Sequence, residues 1–227
     1  MSAGYQRRIR SFVMRAGRMT EGQQKGWDQG FPQYGHTYEQ GAFDWGLAFG
    51  RTGERVVEVG FGMGDSLLAM AEARPDVNFL GIEVHRPGVG RLLSQVLARG
   101  LSNIRVYAED AVPVLNDCIP KGTVDALQIY FPDPWHKKRH NKRRLIQPEF
   151  IANVAPCLAK GGLLHLATDW QPYAEHMLDV MEAAHGFTNR AAQQQYSERP
   201  NWRPETKFER RGARLGHGVW DLLYQRD

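Results

Sequence analysis

The sequence has very few cysteines and no long apolar run. Among its 227 residues only Cys118 and Cys157 are cysteines, and they form no CxxC pair. A disulfide scaffold or a zinc site needs more ligands at closer spacing, so neither is predicted, and no other metal site is predicted. No stretch approaches the ~20 apolar residues of a membrane span, and the amino terminus lacks the apolar core of a secretory signal. These absences predict a protein of a reducing compartment, the cytoplasm, with no membrane partner.

Acidic residues are also missing from the first twenty positions, which shows how unevenly the charge is distributed. Lys and Arg number 29 against 25 Asp and Glu, so the net charge is only +4. The cations cluster in segments 7–18, 137–144 and 199–214. If the fold brings these segments together, they form one face that binds a polyanion. We predict a basic N-terminal arm at 1–36 followed by a single domain at 37–227.

From about residue 54, short apolar runs alternate with amphipathic stretches, which is typical of βα units in a parallel sheet. Strands are predicted at 55–59, 77–84, 104–108, 124–131 and 163–167. Helices are predicted at 66–73, 87–98, 148–158 and 172–184. Two further strands, 187–196 and 219–225, have no crossover helix between them and are expected to form an antiparallel hairpin at the sheet edge. The prediction is an α/β, Rossmann-like, mostly parallel sheet of about seven strands with helices on both faces.

Three glycines follow the first predicted strand. Gly60, Gly62 and Gly64 alternate with other residues, and glycine lets the backbone turn sharply and approach a ligand closely. A dinucleotide fingerprint would have its third glycine where this chain has Asp65, which argues against a pyrophosphate clamp.

Carboxylates follow three successive predicted strands, at Glu58, Glu83 and Asp110. Glu83 is placed to accept both ribose hydroxyls of a nucleoside, and Asp110 to face the adenine amine. Each acid alone is explained as well by a helix cap or a surface carboxylate; three together favour a ligand. An acidic pocket without a phosphate-binding cation suits a positively charged nucleoside, and S-adenosyl-L-methionine has this character.

The segment Phe131-Pro132-Asp133-Pro134-Trp135-His136 runs directly into the basic residues 137–144. Because Asp133 follows a predicted buried strand, it should lie where open α/β sheets keep their ligands. The prolines are expected to push the residues before them toward extended geometry and to hold the acid in place. We therefore predict Asp133 as the catalytic carboxylate, with Trp135 or Phe208 stacking on a base. The residues predicted to hold RNA phosphates are Arg139, Lys142, Arg143 and Arg144, although a solvated charged face is the plainer explanation of this run.

Several motifs together resemble one family. They are Arg10-Ser11-Phe12-Val13 with Arg15, Gly17 and Arg18; Glu58 to Gly64; Gly81-Ile82-Glu83; Phe131 to Arg144; Thr168-Asp169-Trp170 with Tyr173; and Thr206-Lys207-Phe208-Glu209 before Arg211-Gly212. The chain resembles, nearly from end to end, the tRNA (guanine-N7)-methyltransferases, which are class I S-adenosylmethionine-dependent methyltransferases.

The resemblance implies a substrate and its ligands. The expected substrate is the guanine in the variable loop of tRNA, position 46, methylated at N7 to 7-methylguanosine. Its expected ligands are Lys137, Asp169, Thr206, Lys207, Phe208 and Glu209. Asp133 is assigned to the cofactor site as well as to catalysis.

The expected chemistry needs no base, since guanine N7 has an in-plane lone pair and no proton. The methylated ring is cationic, and a carboxylate that accepts from its N1–H and amine binds the transition state more tightly than the neutral base. Three other hypotheses are an adenine-N6 methyltransferase with an Asp-Pro-Pro-Tyr motif, a nicotinamide-dependent dehydrogenase and a non-catalytic RNA-binding module. The sequence leaves a monomer and a homodimer open.

Overall fold

The computed structural model describes residues 11–12, 17–205, 209 and 218–227, and it is built around one eight-stranded sheet with strand order β1-β4-β3-β2-β5-β6-β8-β7. The strands are β1 (Gly35–His36), β2 (Arg55–Val59), β3 (Asn78–Ile82), β4 (Ile104–Tyr107), β5 (Val124–Tyr130), β6 (Leu158–Thr168), β7 (Phe187–Asn189) and β8 (Trp220–Arg226). All neighbours pair in parallel except β8, which runs antiparallel to both β6 and β7. The predicted α/β class is therefore confirmed, with β1 as the additional strand.

Helices cover both faces of this sheet. They are α1 (Glu21–Tyr34), α2 (Trp45–Phe49), α3 (Asp65–Ala73), α4 (Arg86–Arg99), α5 (Ala111–Pro113), α6 (Pro148–Val154) and α7 (Gln171–Glu182). One apolar layer joins α3 and α4 to the face that carries Val56 and Phe79. The other joins α6 and α7 to the face that carries Val57 and Leu127. No helix in the described part of the chain is long and apolar enough to cross a membrane.

Helix α1 was not predicted, because its sequence is rich in residues that disfavour helices. It contains Pro32 and glycines at every fourth position, but Gly26 and Gly30 are buried against α4. A Cβ atom on Gly26 would lie 2.1 Å from the Gly90 carbonyl oxygen, so only glycine permits this approach of the two helices. The segment 1–36 therefore contains a helix that packs on the domain, and α1 is more than a basic arm.

The C-terminal strands pair as predicted, although their bounds differ. Strand β8 lies between β6 and β7, and β7 ends at Asn189 and not at 196. A helix was predicted up to residue 158, but strand β6 already begins at Leu158. Gly161 and Gly162, which were expected to end that helix, lie instead within an irregularity of the β5–β6 pairing. Gly161 has φ +78°, which suits glycine.

Candidate active site

The loop between β2 and α3 is held by the residue that follows β3. Gly60, Gly62 and Gly64 all have positive φ, between +57° and +79°, which explains the alternate glycines. The carboxylate of Glu83, at the end of β3, accepts hydrogen bonds from the Gly62 N–H at 2.7 Å and the His85 N–H at 2.9 Å. Glu83 therefore holds the glycine loop while also lining the pocket beside it.

This pocket lies at the carboxyl ends of β2, β3 and β5. Four carboxylates line it, Glu83, Glu109, Asp110 and Asp133, and no Lys or Arg is among its described lining residues. Asp110 also caps α5 by accepting from the Val112 N–H at 3.1 Å. An acidic pocket without cations suits a cationic nucleoside and repels a polyphosphate. The acid that our sequence reasoning missed is Glu109, whose only signal was its position beside Asp110.

Glu58 is buried and is not among the residues that line the pocket. Its pKa is raised to about 8, chiefly by burial and also by the nearby charge of Glu83, while a hydrogen bond from the Gln128 amide at 3.2 Å acts in the opposite direction. The two residues after it, Val59 and Gly60, do line the pocket. Any effect of Glu58 on a ligand is therefore indirect.

The turn that carries Asp133 has an unexpected backbone. Phe131 has φ +52°, so the prediction that Pro132 holds it in extended geometry is wrong. Trp135, with φ +47°, is left-handed as well. Such strain in bulky residues persists only where the surroundings hold it, and it clusters at functional sites. Here the Phe131 N–H donates to the Ala167 carbonyl at 2.8 Å, which ties the turn to the end of β6.

Asp133 itself is exposed at the place where two cavities meet. It lines the acidic pocket and also a second groove with Trp135, His136 and Lys137. Lys137 is exposed and precedes the 3-10 helix Lys138–Arg143. A carboxylate between a nucleoside-sized pocket and a groove that leads to cations is placed to contact both a cofactor and a substrate base.

Arg144 differs from the other basic residues of this segment. It is buried, and its guanidinium donates to the Pro134 carbonyl at 2.9 Å and to the Pro172 carbonyl at 3.1 Å. Its predicted role as an RNA phosphate ligand is therefore corrected, because these bonds hold the turn next to Asp133. Arg139 and Lys142 are exposed, and Arg143 is half-buried with its guanidinium 5.0 Å from the Trp135 ring centre.

Two tryptophans near Asp133 differ in their surroundings. Trp135 is half-buried, and its indole N–H donates to the Ser11 carbonyl at 3.1 Å. Trp170 follows β6, is exposed, and meets the His136 ring edge-on at a centroid distance of 4.4 Å. Its neighbour Asp169 is exposed too. Trp170, which sequence reasoning did not single out as a stacking residue, is an exposed aromatic side chain in contact with His136 of this groove.

The remaining predicted substrate residues are described only in part. Glu209 is buried, and its carboxylate lies 2.7 Å from the Arg203 guanidinium. The predicted ligands Thr206, Lys207 and Phe208 lie outside the described residues, as do the arginines Arg7, Arg8, Arg10 and Arg15.

This combination of sheet order, glycine loop and strand-end acids defines a class I methyltransferase fold. The solved structure of the 16S rRNA methyltransferase KamB is similar, with a TM-score of 0.59 and 18% identity, and the match covers 80% of this chain and 91% of that one. TrmN from Thermus thermophilus is similar too, with a TM-score of 0.55 and 22% identity, and the match covers 80% of this chain and 46% of that one. At these identities the likeness shows the fold alone.

Sequence comparison then narrows the class. A family model described as "Putative methyltransferase" matches residues 53–222. Two similar relatives are both named tRNA (guanine-N(7)-)-methyltransferase. The relative from Pseudomonas savastanoi pv. phaseolicola is 58% identical, and the alignment covers 97% of this chain and 90% of the relative. The relative from Alcanivorax borkumensis is 56% identical, and the alignment covers 97% of this chain and 92% of the relative. The chain belongs to the tRNA (guanine-N7)-methyltransferase family.

Proposed function

We propose that the protein methylates N7 of a guanine in tRNA, the variable-loop guanine at position 46, with S-adenosyl-L-methionine as the methyl donor, in the cytoplasm. The observation that carries this proposal is the position of Asp133 between the acidic pocket and the groove beside Lys137. Family membership supports the reaction and the substrate class.

The pocket fits this cofactor. When bound, S-adenosyl-L-methionine supplies an electrophilic methyl group on a sulfonium centre. Glu83 and Asp110 would hold its ribose and adenine, while the backbone of Gly60 lies alongside. The four lining carboxylates match the positive charge of the ligand.

On the substrate side, the chain has to orient a guanine and stabilise the charge that develops on it. Asp133 accepts from the Watson–Crick edge of the base. Lys137 lines the same groove, and Asp169 precedes Trp170, whose ring contacts His136 of that groove. The contacts of Phe131 and the hydrogen bond from Arg144 to the Pro134 carbonyl hold the turn that carries Asp133, so little reorganisation of its backbone is needed.

Reaction with a defined tRNA tests this function. Unmodified tRNA transcript is incubated with methyl-labelled S-adenosyl-L-methionine, and the nucleosides are then separated. We expect label in 7-methylguanosine, and none when position 46 is changed from guanine to adenine. Label in N6-methyladenosine, or no transfer despite cofactor binding, would contradict the proposal and favour one of the alternative hypotheses above.

Replacing Glu83 should weaken cofactor binding. Glu83→Ala removes charged hydrogen-bond acceptors worth ~1.5–3 kcal/mol each and releases the Gly62 loop, so we expect roughly tenfold or greater loss of S-adenosyl-L-methionine affinity. Affinity for tRNA should change little. Calorimetry with each ligand measures both, and Glu72→Ala, an exposed acid on α3, is the control. Unchanged cofactor affinity in Glu83→Ala would remove this residue from the site.

The exposed cations should act through phosphates. In the double variant Arg139→Gln and Lys142→Gln, the slope of log binding constant against log salt concentration should fall by up to ~0.9 for each phosphate that is no longer neutralised. The rate at saturating tRNA should change much less. The control removes the same charge from Lys121 and Lys160, which are exposed before β5 and early in β6, at the other end of the sheet. If the salt slope is the same in both double variants, Arg139 and Lys142 neutralise no phosphate and are only part of a solvent-exposed charged face.

Trp170 is the residue we expect to stack on a base. Trp170→Ala should cost ~1–3 kcal/mol of tRNA binding, the range for base–aromatic stacking, which is roughly fivefold to 150-fold in affinity. Leu47→Ala is the control, because it removes another exposed apolar side chain, on α2, outside the three basic segments. Equal losses in fluorescence-monitored titrations would show that exposure alone explains the effect.

A further inference from the structure

Three segments of the described chain carry residues that the proposed function assigns to the substrate. They are the turn 131–136 with Asp133, the basic segment 137–144, and the connection from β6 to α7 with Asp169 and Trp170. The pairing of β5 with β6 ends at Tyr130 and Ala167, before any of these segments begins. The position of Asp133 relative to Trp170 therefore depends on the contacts that join the three segments.

Arg144, the last residue of the basic segment, reaches both the turn and the start of α7. Its Nε–H donates to the Pro134 carbonyl at 2.9 Å, and an Nη1–H donates to the Pro172 carbonyl at 3.1 Å. The guanidinium is planar and its donors have a fixed fork geometry, so one rigid group spans the two carbonyls. Arg144 therefore sets the spacing between the turn that carries Asp133 and the first turn of α7.

Arg144 is not explained as one half of an ion pair. It is 5% exposed, and it forms no salt bridge with any residue that the structure describes. Burial disfavours its charged form and lowers its pKa, and a buried cation without a carboxylate is costly for the fold. The geometry that Arg144 imposes on two parts of the site explains its position better than a contribution to stability does.

Tyr173 supports this arginine from α7. The tyrosine is fully buried, and the guanidinium of Arg144 lies over its ring with the central carbon 4.8 Å from the ring centre. The Tyr173 N–H donates to the Trp170 carbonyl at 2.9 Å, and the Tyr173 hydroxyl accepts from the Ile146 N–H at 3.1 Å. One side chain thus contacts the end of the basic segment, while its backbone is bonded to the residue that we expect to stack on a base.

The residues after Arg144 are held on α7 by side chains. Ile146 is fully buried between the 3-10 helix 138–143 and α6, and both of its backbone polar groups are paired with α7. Its N–H donates to Tyr173, and its carbonyl accepts from Nε2 of His176 at 2.8 Å. Positions 173 and 176 lie on one face of the helix. Because buried backbone groups left unpaired are costly, this segment has one favoured position on α7.

Methyl transfer depends on the spacing that these contacts set. The lone pair of guanine N7 has to point along the bond between the sulfonium and its methyl group, and a displacement of about 1 Å can cost roughly 100-fold in rate. In the proposed complex Asp133 accepts from the edge of the base and Trp170 stacks on a base of the same RNA. The distance between these two residues therefore determines how the guanine meets the methyl group.

We propose that Arg144 and Tyr173 form a clamp that fixes Asp133 relative to Trp170, so that both are positioning residues for methyl transfer without contacting the substrate. The clamp rests on the proposed function, because that function assigns Asp133 and Trp170 to the bound RNA. It also gives Arg144 a role in the reaction that differs from the phosphate contacts expected of Arg139 and Lys142.

Tyr173→Phe tests the clamp with the loss of a single hydroxyl. The Ile146 N–H loses its acceptor while the ring remains under Arg144. We expect the single-turnover rate at saturating tRNA and S-adenosyl-L-methionine to fall roughly tenfold, because the shift reaches Asp133 through Arg144. Calorimetry should show wild-type cofactor affinity. Tyr224→Phe, which removes another buried hydroxyl, bonded to Glu182 and Asn189, should keep the wild-type rate. A wild-type rate in Tyr173→Phe, or an equal loss in Tyr224→Phe, would overturn the proposal.

A double-mutant cycle separates a role through Asp133 from a general loss of stability. Arg144→Lys keeps the charge but replaces the planar fork with a single nitrogen, and it should lower the single-turnover rate roughly tenfold to 100-fold. In an Asp133→Asn background the same change should cost less than about threefold, because the carboxylate that Arg144 positions is already absent. Equal fold losses in the two backgrounds would contradict the clamp. If Arg144→Lys does not fold, Tyr173→Phe takes its place in the cycle.

Salt dependence separates the clamp from a phosphate contact. In Arg144→Gln the slope of log binding constant for tRNA against log salt concentration should stay at the wild-type value, whereas loss of a phosphate ligand lowers it by up to ~0.9. A lowered slope would make Arg144 an RNA ligand and overturn the proposal. Formation of 7-methylguanosine by the wild-type protein tests the proposed function in the same assay, and it is unaffected by how the variants behave, so the two proposals can fail separately.

Discussion

Asp133→Asn should reduce the rate of methyl transfer to tRNA by roughly 100-fold or more, the loss seen when one preorganised electrostatic partner of a transition state is removed. The change keeps the size of the side chain and replaces a charged acceptor with a mixed donor and acceptor, which no longer pairs with both guanine donors. Because Asp133 is exposed and its turn is held by backbone contacts at Phe131 and Pro134, the variant should fold.

Single-turnover rates with saturating tRNA and cofactor measure this effect without contributions from product release. Calorimetry should show that the variant still binds S-adenosyl-L-methionine, and Asp179→Asn, an exposed acid on α7, should keep the wild-type rate. The wild-type rate should be flat with pH through neutrality, since N7 has no proton to lose. A rate that rises tenfold per pH unit there and loses this rise in Asp133→Asn would mean that the carboxylate removes a proton, which contradicts the mechanism.

The central part of the fold was predictable from the sequence for a definite physical reason. Strands such as Arg55–Val59 and Val124–Tyr130 are buried apolar runs separated by amphipathic helices, and this pattern determines a parallel sheet. Since parallel strands end at one edge, acids such as Glu83 and Asp133, which follow different strands, were expected to meet, and they line one pocket. Their roles as ligands remain proposals.

Helix α1 was not predictable from propensity, because its stability comes from a partner. Two signals favour this helix. The first is the capping box at Thr20, whose side chain accepts from the Gln23 N–H while the Gln23 side chain accepts from the Thr20 N–H. The second is the spacing of Gly26 and Gly30. Small residues four positions apart look like helix breakers in a sequence, whereas next to Gly90 of α4 they are the surface that allows close packing.

The site was harder to predict where a residue's role depends on partners that are distant in the sequence. Arg144 looks like its neighbours in the basic run, but its guanidinium binds the Pro134 and Pro172 carbonyls. Likewise, the left-handed backbone of Phe131 contradicts the local preference of a residue before proline, and tertiary contacts such as its bond to Ala167 impose it. Local sequence rules carry no information about such long-range partners.

Arg203→Met should cause the largest loss of stability among the changes considered, about 3–5 kcal/mol, the cost of removing one member of a buried ion pair. Arg203 is 2% exposed, pairs with Asp221 and Glu209, and lies over the Tyr130 ring at 5.7 Å. Met fills part of the volume, but the buried carboxylates of Asp221 and Glu209 lose their ion pairs with Arg203. Urea unfolding measures the loss. Arg99→Met, which breaks an exposed pair with Glu72, should cost less than about 1 kcal/mol.

Acid unfolding checks the same pair with a definite sign. Burial alone would raise the pKa of Asp221, but hydrogen bonds from His165 and Arg203 and the charge of Arg203 more than offset this, so its pKa is lowered. A lowered pKa stabilises the fold above the unfolded value, and this contribution is lost as pH falls through the folded pKa. In Arg203→Met the contribution should be smaller, so stability should fall less steeply below pH ~4 than it does in the wild type.

A second substitution separates the charge of this pair from its packing. Adding Asp221→Leu to Arg203→Met should restore part of the lost stability, because the double variant no longer buries the Asp221 carboxylate without its Arg203 partner. Urea unfolding of the two variants side by side measures the difference. If the double variant is less stable than Arg203→Met, the packing of Arg203 and Asp221 matters more than their charges.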